Sequence, residues 1–502
     1  DAHHEILAFG SLPRQYLILS GKTLFKGMAF EELHRVQLDI ETSTLTHDQS
    51  DAQILMVALS DNRGYEELLE GDEQTILRQL TERIQELDPD VIEGHNLFGF
   101  DLPYLHRRAQ ALGMALRWGR DGSELRFGSP RACVIGANNR TFTPAFVHGR
   151  HLLDTYLAVQ RFDIGRGDLE SYGLKEAAQQ LGIALEERIY LEREQIPHLW
   201  RTDPDTVRQY CLQDVRETRR LAELVLPTEF YQCQMIPDTL QNLATIGTGE
   251  KANLLFVRAY LMKGHAIPLP EPAREYPGGY TEVRMVGRIE RVVKADVESL
   301  YPSVMLQFHI KPKVDTLNVF LPMLAELRQR RLDAKNRARQ TQGLEAAYWD
   351  GLQGSFKILI NSMYGYLGAP FHFNDYDAAE KVTITGQDIV KQIAQQIEAL
   401  GGRVIEIDTD GVYFQPPPEV QTEAEERAFV EQVGSILPEG IRLVHDGRYA
   451  VMLSLKTKNY VLQGYDGKRI FKGASLRSRA DERFGREFIA RAIEWLLEGK
   501  PE

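Results

Sequence analysis

The sequence predicts a multidomain chain of mixed α/β and α+β class, and three observations predict it. The 502 residues are enough for several domains and a sizeable core. Strand-like and helix-like segments alternate over roughly residues 35–225, the pattern of an α/β unit. After the turn-forming YPGGY at 276–280, a second unit sets long helical stretches between strands.

The first unit opens with RVQLDIETST (35–44) and AQILMVALSD (52–61), two strands joined by a short polar turn. DEQTILRQLTERIQEL (72–87) reads as a helix and is followed by the strand DVIEGHN (90–96). DLPYLHRRAQALG (101–113) has a helix-start signature, with Asp101 as a cap, Pro103 in the first turn and Gly113 at the end. DPDTVRQYCLQDVRETRRLAELVL (203–226) is a long amphipathic helix.

In the second unit RVVKADVESLYPSVM (291–305) reads as a strand. Helices are expected over 321–341, 344–363 and 378–400, leading into the strand RVIEIDTDGVYF (403–414). Alternation in that strand sets Glu406, Asp408 and Asp410 on one face of a packed sheet. Three acids on one face repel, so something must neutralise them. DERFGREFIARAIEWLLEGK (481–500) is an amphipathic helix, expected to belong to a domain cut short.

Composition narrows the class. Hydrophobic residues make up 43% and charged residues 26%, as in ordinary globular proteins. No apolar run approaches the roughly 18 residues that would suggest a membrane span. DAHHEILAFG lacks a signal-peptide pattern and a leading Met, so a trimmed or partial chain is expected. Cys133, Cys211 and Cys233 form no CxxC pair, which argues against a zinc ribbon or iron–sulfur cluster and for a reducing compartment. Net charge is −13, weak evidence against nucleic acid as a partner. Against that, LRQRRLDAKNRARQ (327–340) is basic, and Lys456, Lys458, Lys468, Arg469, Lys472, Arg477 and Arg479 cluster near the end.

Two constellations carry chemistry. Asp39 and Glu41 share a strand face, Asp101 follows Asn96 and Phe100, and Tyr210 and Asp214 share a helix face at i, i+4. Four carboxylates from three segments can hold two divalent cations for phosphodiester hydrolysis, with Tyr210 on the attacking water. Asp101 reads equally well as a helix cap. Asp296 ends an apolar strand, and Lys357, Asn361 and Tyr364 lie on one helix side at i, i+4 and i+7. Those groups suit a nucleotide, with Arg328 as a second phosphate contact. Read blandly, Tyr364 is core and Lys357 solvated. Lys456, Lys458 and Tyr460 fit a nucleic-acid backbone contact or a Lys-protected edge strand.

DIET, N-x-x-x-F-D, Y-x-x-x-D, D-x-x-S-L-Y-P-S, K-x-x-x-N-S-x-Y-G, D-T-D and K-x-Y occur in this order. From about residue 12 to 490 the series resembles the family B DNA polymerases with a 3′–5′ proofreading exonuclease. The resemblance implies an RNase H-like exonuclease domain at 36–228, after a reduced N-terminal segment at 1–35. It implies a right-hand polymerase: linker and first palm part 229–315, fingers 316–363, second palm part 364–455, minimal or incomplete thumb 456–502. By similarity Asp39, Glu41, Asp101 and Asp214 hold the exonuclease metals, and Asp296 and Asp410 hold the palm metals with Asp408 accessory. Two Mg²⁺ are implied at each site, with Mn²⁺ as a substitute. Leu300, Tyr301, Arg328, Lys357, Asn361 and Tyr364 are placed at the incoming dNTP, Tyr301 as the gate against a 2′-OH. Asn96, Phe100, Gly278, Gly279, Lys458 and Tyr460 are placed on DNA.

Lys357 follows Asp296 by 61 positions, which leaves no room for the insertion of protein-primed members, so an ordinary nucleic-acid primer is expected. Glu406 departs from the family's usual Tyr. It is expected either as an ionised acid paired with Lys or Arg, or as a charge that weakens primer grip. Primer–template DNA, dNTPs and a sliding clamp are the implied partners of a monomer without membrane contact. It would sit in the cytoplasm with the nucleoid, or in a host's cytoplasm. A non-catalytic scaffold is disfavoured because both carboxylate sets are present. A stand-alone exonuclease would not need SLYPS, NSxYG and D-T-D.

Overall fold

The computed structural model describes residues 10–47, 49, 51–136, 138–164, 169–473 and 483–499. The basic Arg477 and Arg479 lie outside them. The chain forms two compact units, residues 1–266 with 329–359, and 267–328 with 360–502.

The first unit is built on a five-stranded sheet. Its strands are β1 (Arg35–Thr42), β2 (Ile54–Asp61), β3 (Glu66–Leu69), β4 (Val91–Gly94) and, after the short ribbon strands β5 (Arg126–Phe127), β6 (Arg131–Ile135), β7 (Asn138–Phe142) and β8 (Ala145–Phe146), β9 (His151–Asp154). The sheet order is β3-β2-β1-β4-β9. β1, β2 and β3 are antiparallel, while β4 and β9 run parallel to β1. This mixed sheet matches the expected α/β class. Its helices are α1 (Leu12–Ser20), α2 (Glu73–Leu87), α3 (Asp101–Ala111), α4 (Thr155–Asp163), α5 (Leu174–Gln180), α6 (Ile196–Thr202), α7 (Pro204–Val225), α8 (Pro227–Cys233), α9 (Leu240–Leu243) and α10 (Thr248–Leu261).

Local chemistry explains the helix starts. Asp72 caps α2 by accepting from the Thr75 backbone N–H at 2.9 Å, and Ile76, Leu77, Leu80 and Ile84 form its buried stripe. Asp203 caps α7 and Pro204 occupies its first turn. Val207, Tyr210, Cys211, Asp214, Val215 and Thr218 then fall on the buried face of α7. That spacing carries Tyr210 and Asp214 to the sheet.

The second unit holds a seven-stranded sheet of order β10-β12-β13-β11-β14-β15-β16. In chain order these are β10 (Thr281–Val283), β11 (Gly287–Val297), β12 (Arg403–Asp408), β13 (Gly411–Gln415), β14 (Leu443–Lys456), β15 (Asn459–Gln463) and β16 (Arg469–Lys472). All its pairings are antiparallel. The remaining helices are α11 (Leu300–Gln307), α12 (Phe320–Gln340), α13 (Gly343–Leu367), α14 (Tyr376–Ala399), α15 (Glu423–Gly434) and α16 (Arg483–Leu497). Ile493 and Leu497 of α16 pack on Val451, Leu453 and Val461 of the sheet.

Three sequence expectations change here. The strand expected over 291–305 ends at Val297, and the apolar Leu300–Gln307 turns helical after Ser299 adopts a left-handed φ of 52°. Residues 459–463 and 469–472, expected in a thumb, form the last two strands of the seven-stranded sheet. Asp410 does not continue the alternation of Glu406 and Asp408. β12 ends at Asp408, Thr409 takes a φ of 60°, and Asp410 sits in the turn before β13.

Candidate active sites

In the first unit, Asp39 and Glu41 project from β1, Asp101 opens α3, and Tyr210 and Asp214 face the sheet from α7. All five line one cavity of about 340 Å³ together with Asn96 and Phe100. The sequence reading of Asp101 as a cap gives way, because Phe100 holds the cap position and Asp101 is the first helical residue. Asp101 is buried, and its Oδ1 has no partner.

Burial, then repulsion from Asp214, pushes the Asp39 carboxyl up to about 8. Burial and the Asp39 charge raise Glu41 well above the usual range, and burial and Asp39 do the same to Asp101. Burial and Asp214 raise the Tyr210 phenol, so its hydroxyl stays protonated. Such a cluster fits divalent cations, whose charge offsets the crowding. Cys211 lies among the acids, with Asp39, Glu41 and Cys211 donor atoms within 4.8 Å of one another. Burial raises its thiol well above the ordinary value, and the thiol faces Asp39 Oδ2 at 3.6 Å. Hard carboxylate oxygens suit Mg²⁺ or Mn²⁺.

Several residues here were not singled out from the sequence. Arg188 pairs with Asp214 and holds Glu217 at 3.0 Å, with its side chain almost fully buried. Asp154, at the end of β9, accepts backbone N–H groups of Asn96 and Phe98 at 3.0 Å each. It shapes the loop in which Asn96 has a φ of 68°. An Asp before a helix start is legible as a cap, and Asp154 does cap α4. Its long-range bonds to residues 96 and 98 are not legible.

In the second unit the pairing of β11, β12 and β13 gathers the other acids. Gly411 is the register partner of both Asp296 and Asp408. A Cβ at Gly411 would run into the Asp296 carboxylate. The Val297 N–H donates to the Asp410 carbonyl at 2.8 Å, tying the turn to β11. Asp296 Oδ1 is buried without a hydrogen-bond partner, though Lys294 Nζ lies 3.5 Å from it. Lys294 also reaches Asp446 at 2.6 Å. Burial, then Asp410, pushes the Asp296 carboxyl up to about 7. These acids fit cations for the same reason as those of the first unit. Alternation makes Lys294 legible as a neighbour of Asp296, whereas Asp446 comes from β14 and is not legible.

The ring of Tyr301 packs on Tyr364 with centroids 4.2 Å apart, and the Tyr364 hydroxyl lies 2.9 Å from Thr383 Oγ1. A Cβ at Gly279 would come within 3.0 Å of the Tyr301 hydroxyl and 2.6 Å of Thr409 Cγ2, so Gly279 permits close approach. The Gly278 carbonyl accepts from Gln387 at 2.7 Å. Lys357 and Asn361 are exposed on α13, whereas Tyr364 is partly buried. Leu300 is buried and Arg328 is partly buried on α12. Lys458 Nζ lies 3.3 Å from Asp408. Tyr460 is no exposed tip: it is buried, its hydroxyl 3.0 Å from that of Tyr413.

Glu406 departs from the expectation of an ion pair with a Lys or Arg side chain. Its side chain is buried, and Oε1 accepts the Lys458 backbone N–H at 2.6 Å while Oε2 has no partner. Its partner is a main-chain N–H. Burial pushes its carboxyl up to about 7.

Residues 32–177 match the exonuclease domain of DNA polymerase family B, and residues 317–501 match DNA polymerase family B. DNA polymerase 1 of Pyrococcus abyssi is 28% identical over 536 residues, covering 96% of this chain and 67% of that protein. The DNA polymerase of Archaeoglobus fulgidus is 27% identical over 480 residues, covering 90% and 58%. The family B DNA polymerase structure from Pyrobaculum calidifontis superposes with a TM-score of 0.73 at 23% identity, covering 99% of this chain and 72% of that one. That likeness speaks to the fold.

Proposed function

This chain belongs to DNA polymerase family B and carries the family's exonuclease domain, and from that premise we propose how its residues divide the work. It is a DNA-directed DNA polymerase with 3′–5′ exonuclease activity, acting on primer–template DNA and dNTPs with divalent metals. Among the described residues no helix is long and apolar enough to cross a membrane.

We assign residues 36–228 to the exonuclease and 316–363 to the fingers, with the palm on either side of the fingers. Asp296 and Asp410 would hold two Mg²⁺ ions in the palm, and Asp39, Glu41, Asp101 and Asp214 two more in the exonuclease. When bound, the ions lower the pKa of the attacking oxygen and neutralise charge on the phosphate. The unpartnered buried oxygens of Asp101 and Asp296 support this reading.

The chain's own side chains do the positioning. Tyr210, kept protonated by burial, donates to the attacking water in the exonuclease. Asn96 and Phe100, in the same cavity as the acids, meet the 3′-terminal nucleotide. Lys357 and Asn361 grip the incoming triphosphate from the exposed face of α13, and Arg328 adds a contact from α12. Tyr301, held by Tyr364, excludes a 2′-OH. Lys458 reaches the primer strand beside Asp408. A monomer that works with a sliding clamp belongs to the same reading.

The observation that carries the palm assignment is the join between β11 and the β12–β13 turn: Asp296 pairs with Gly411, and the Val297 N–H donates to the Asp410 carbonyl at 2.8 Å, which brings Asp296 and Asp410 together from distant segments. The test is primer extension with Mg²⁺ on matched and mismatched 3′ ends. A matched end should be extended, and a mismatched end shortened before extension. Absence of both activities from folded protein would refute the assignment.

A further inference from the structure

The first unit contains a second cavity, of about 440 Å³, that shares no lining residue with the exonuclease site. Arg161 of α4, Glu229 and Gln232 of α8, and Gly247, Thr248 and Lys251 at the start of α10 line it. Lys251 is only 1% exposed. Its Nζ donates to Gln232 Oε1 at 2.6 Å and lies 3.4 Å from Glu229 Oε1. Arg161 Nη2 lies 3.1 Å from that same Glu229 oxygen. Two cations therefore lean on one carboxylate, and an uncompensated buried charge is costly.

Two further donors point the same way. Arg161 Nε and the Gln232 amide Nε2 are buried and have no acceptor, although Gln232 is 1% exposed. Buried polar groups are normally satisfied, so unsatisfied ones need an explanation. The 14-residue α10 begins at the cavity, and Gly247 offers its first N–H groups no side-chain cap. A helix N-terminus favours an anion. Glu250, the acid of that first turn, pairs with Arg14 at 3.2 Å and does not line the cavity. Burial lowers the Lys251 ammonium to about 8, against the pull of Glu229, and the Arg161 charge lowers it further.

We propose that this cavity binds a phosphate group, carried either by inorganic phosphate or by a mononucleotide. The phosphate would accept from Arg161 Nε, from the Gln232 amide and from the first N–H groups of α10. It would balance the second cation. The proposal stands on these contacts alone and does not depend on the assignment of the two catalytic sites.

The test is the melting temperature of the full chain in EDTA, without DNA, against sodium phosphate or dAMP. Sodium chloride at matched ionic strength is the control. A ligand that binds only the folded chain raises the melting temperature with concentration. Lys251→Met removes the surplus cation. Ala244→Met adds bulk at the cavity wall and leaves Arg161, Glu229 and Lys251 in the sequence. The wild type should melt higher with ligand, and both variants should need at least about tenfold more ligand for the same rise. A rise with phosphate identifies the inorganic ion as sufficient, and a rise with dAMP alone identifies the mononucleotide. If Lys251→Met does not fold, Ala244→Met decides. No rise in the wild type, or a rise that Ala244→Met keeps in full, overturns the proposal.

Discussion

Glu406 sits two residues before Asp408 on β12, and its buried carboxylate accepts the Lys458 backbone N–H at 2.6 Å. Lys458 has a left-handed φ of 58°, so that bond holds an unfavourable turn in place. The ammonium of Lys458, on the same residue, reaches Asp408. Glu406→Gln keeps an acceptor and should extend primers much as the wild type does. Glu406→Ala removes it and should cost about 2 kcal/mol of stability, with weaker primer binding. Thermal melting and primer-binding titrations check both, and equal losses in the two variants would contradict the role. Tyr301 is the second residue whose environment matters. Its ring is fixed by Tyr364, and Gly279 and Gly386 leave room for it. Tyr301→Ala should lower discrimination against ribonucleotides by about 10–200-fold. Competition between dNTP and rNTP reads this directly. The acids themselves were legible because carboxylates near the ends of apolar strands are hard to explain as packing. The destination of the Glu406 carboxylate was not, because its partner is a backbone group 52 residues away.

The hairpin of β12 and β13 shows what spacing alone conveys. Alternation placed Glu406 and Asp408 together, but the residue that ends the alternation is Thr409, through its φ of 60°. Gly411 then faces Asp296 across the ladder. Gly411→Ala should push the Asp296 carboxylate aside and reduce extension by about 100-fold, since small misplacements at a reacting centre are that costly. Exonuclease activity of the same variant should stay at the wild-type level. A Gly411→Ala enzyme that extends normally would show that the close approach is not needed. The start of β9 makes a different prediction. Burial holds the His151 imidazole down at about 4, while an unfolded His titrates near 6.5. Between those values the unfolded chain takes up a proton that the folded chain refuses, so stability falls as pH drops from ~6.5 to ~4. His151→Gln should flatten part of that loss in melting temperature, and an unchanged pH profile would rule His151 out. In the first unit the helices that start after Asp72 and Asp203 were legible from their apolar periodicity, whereas their caps were not singled out. The helix after Val297 was not read, although Glu298 and Ser299 break the apolar run and Pro302 falls in the first turn of α11.

At the scale of the molecule, the chain divides into two units, each with its own sheet and core. The α/β and α+β character was legible from the switch in periodicity after residue 276. The extent of the second sheet was not, because β15 is only five residues long and follows the basic Lys456 and Lys458, while β16 is four residues long and itself basic, so the segment reads as a solvated edge. The two carboxylate sets fall in different units, one on β1, α3 and α7, the other on β11 and the β12–β13 turn. Two sets of acids in separate units should give two separable chemistries. Asp410→Ala and the double variant Asp39→Ala with Glu41→Ala therefore test the account most directly, in one assay with Mg²⁺ on a primed template and on single-stranded DNA. Asp410→Ala should abolish extension and still shorten single-stranded 3′ ends, and the double variant should extend and no longer shorten. Loss of both activities in either variant, with the fold intact by circular dichroism, would contradict it.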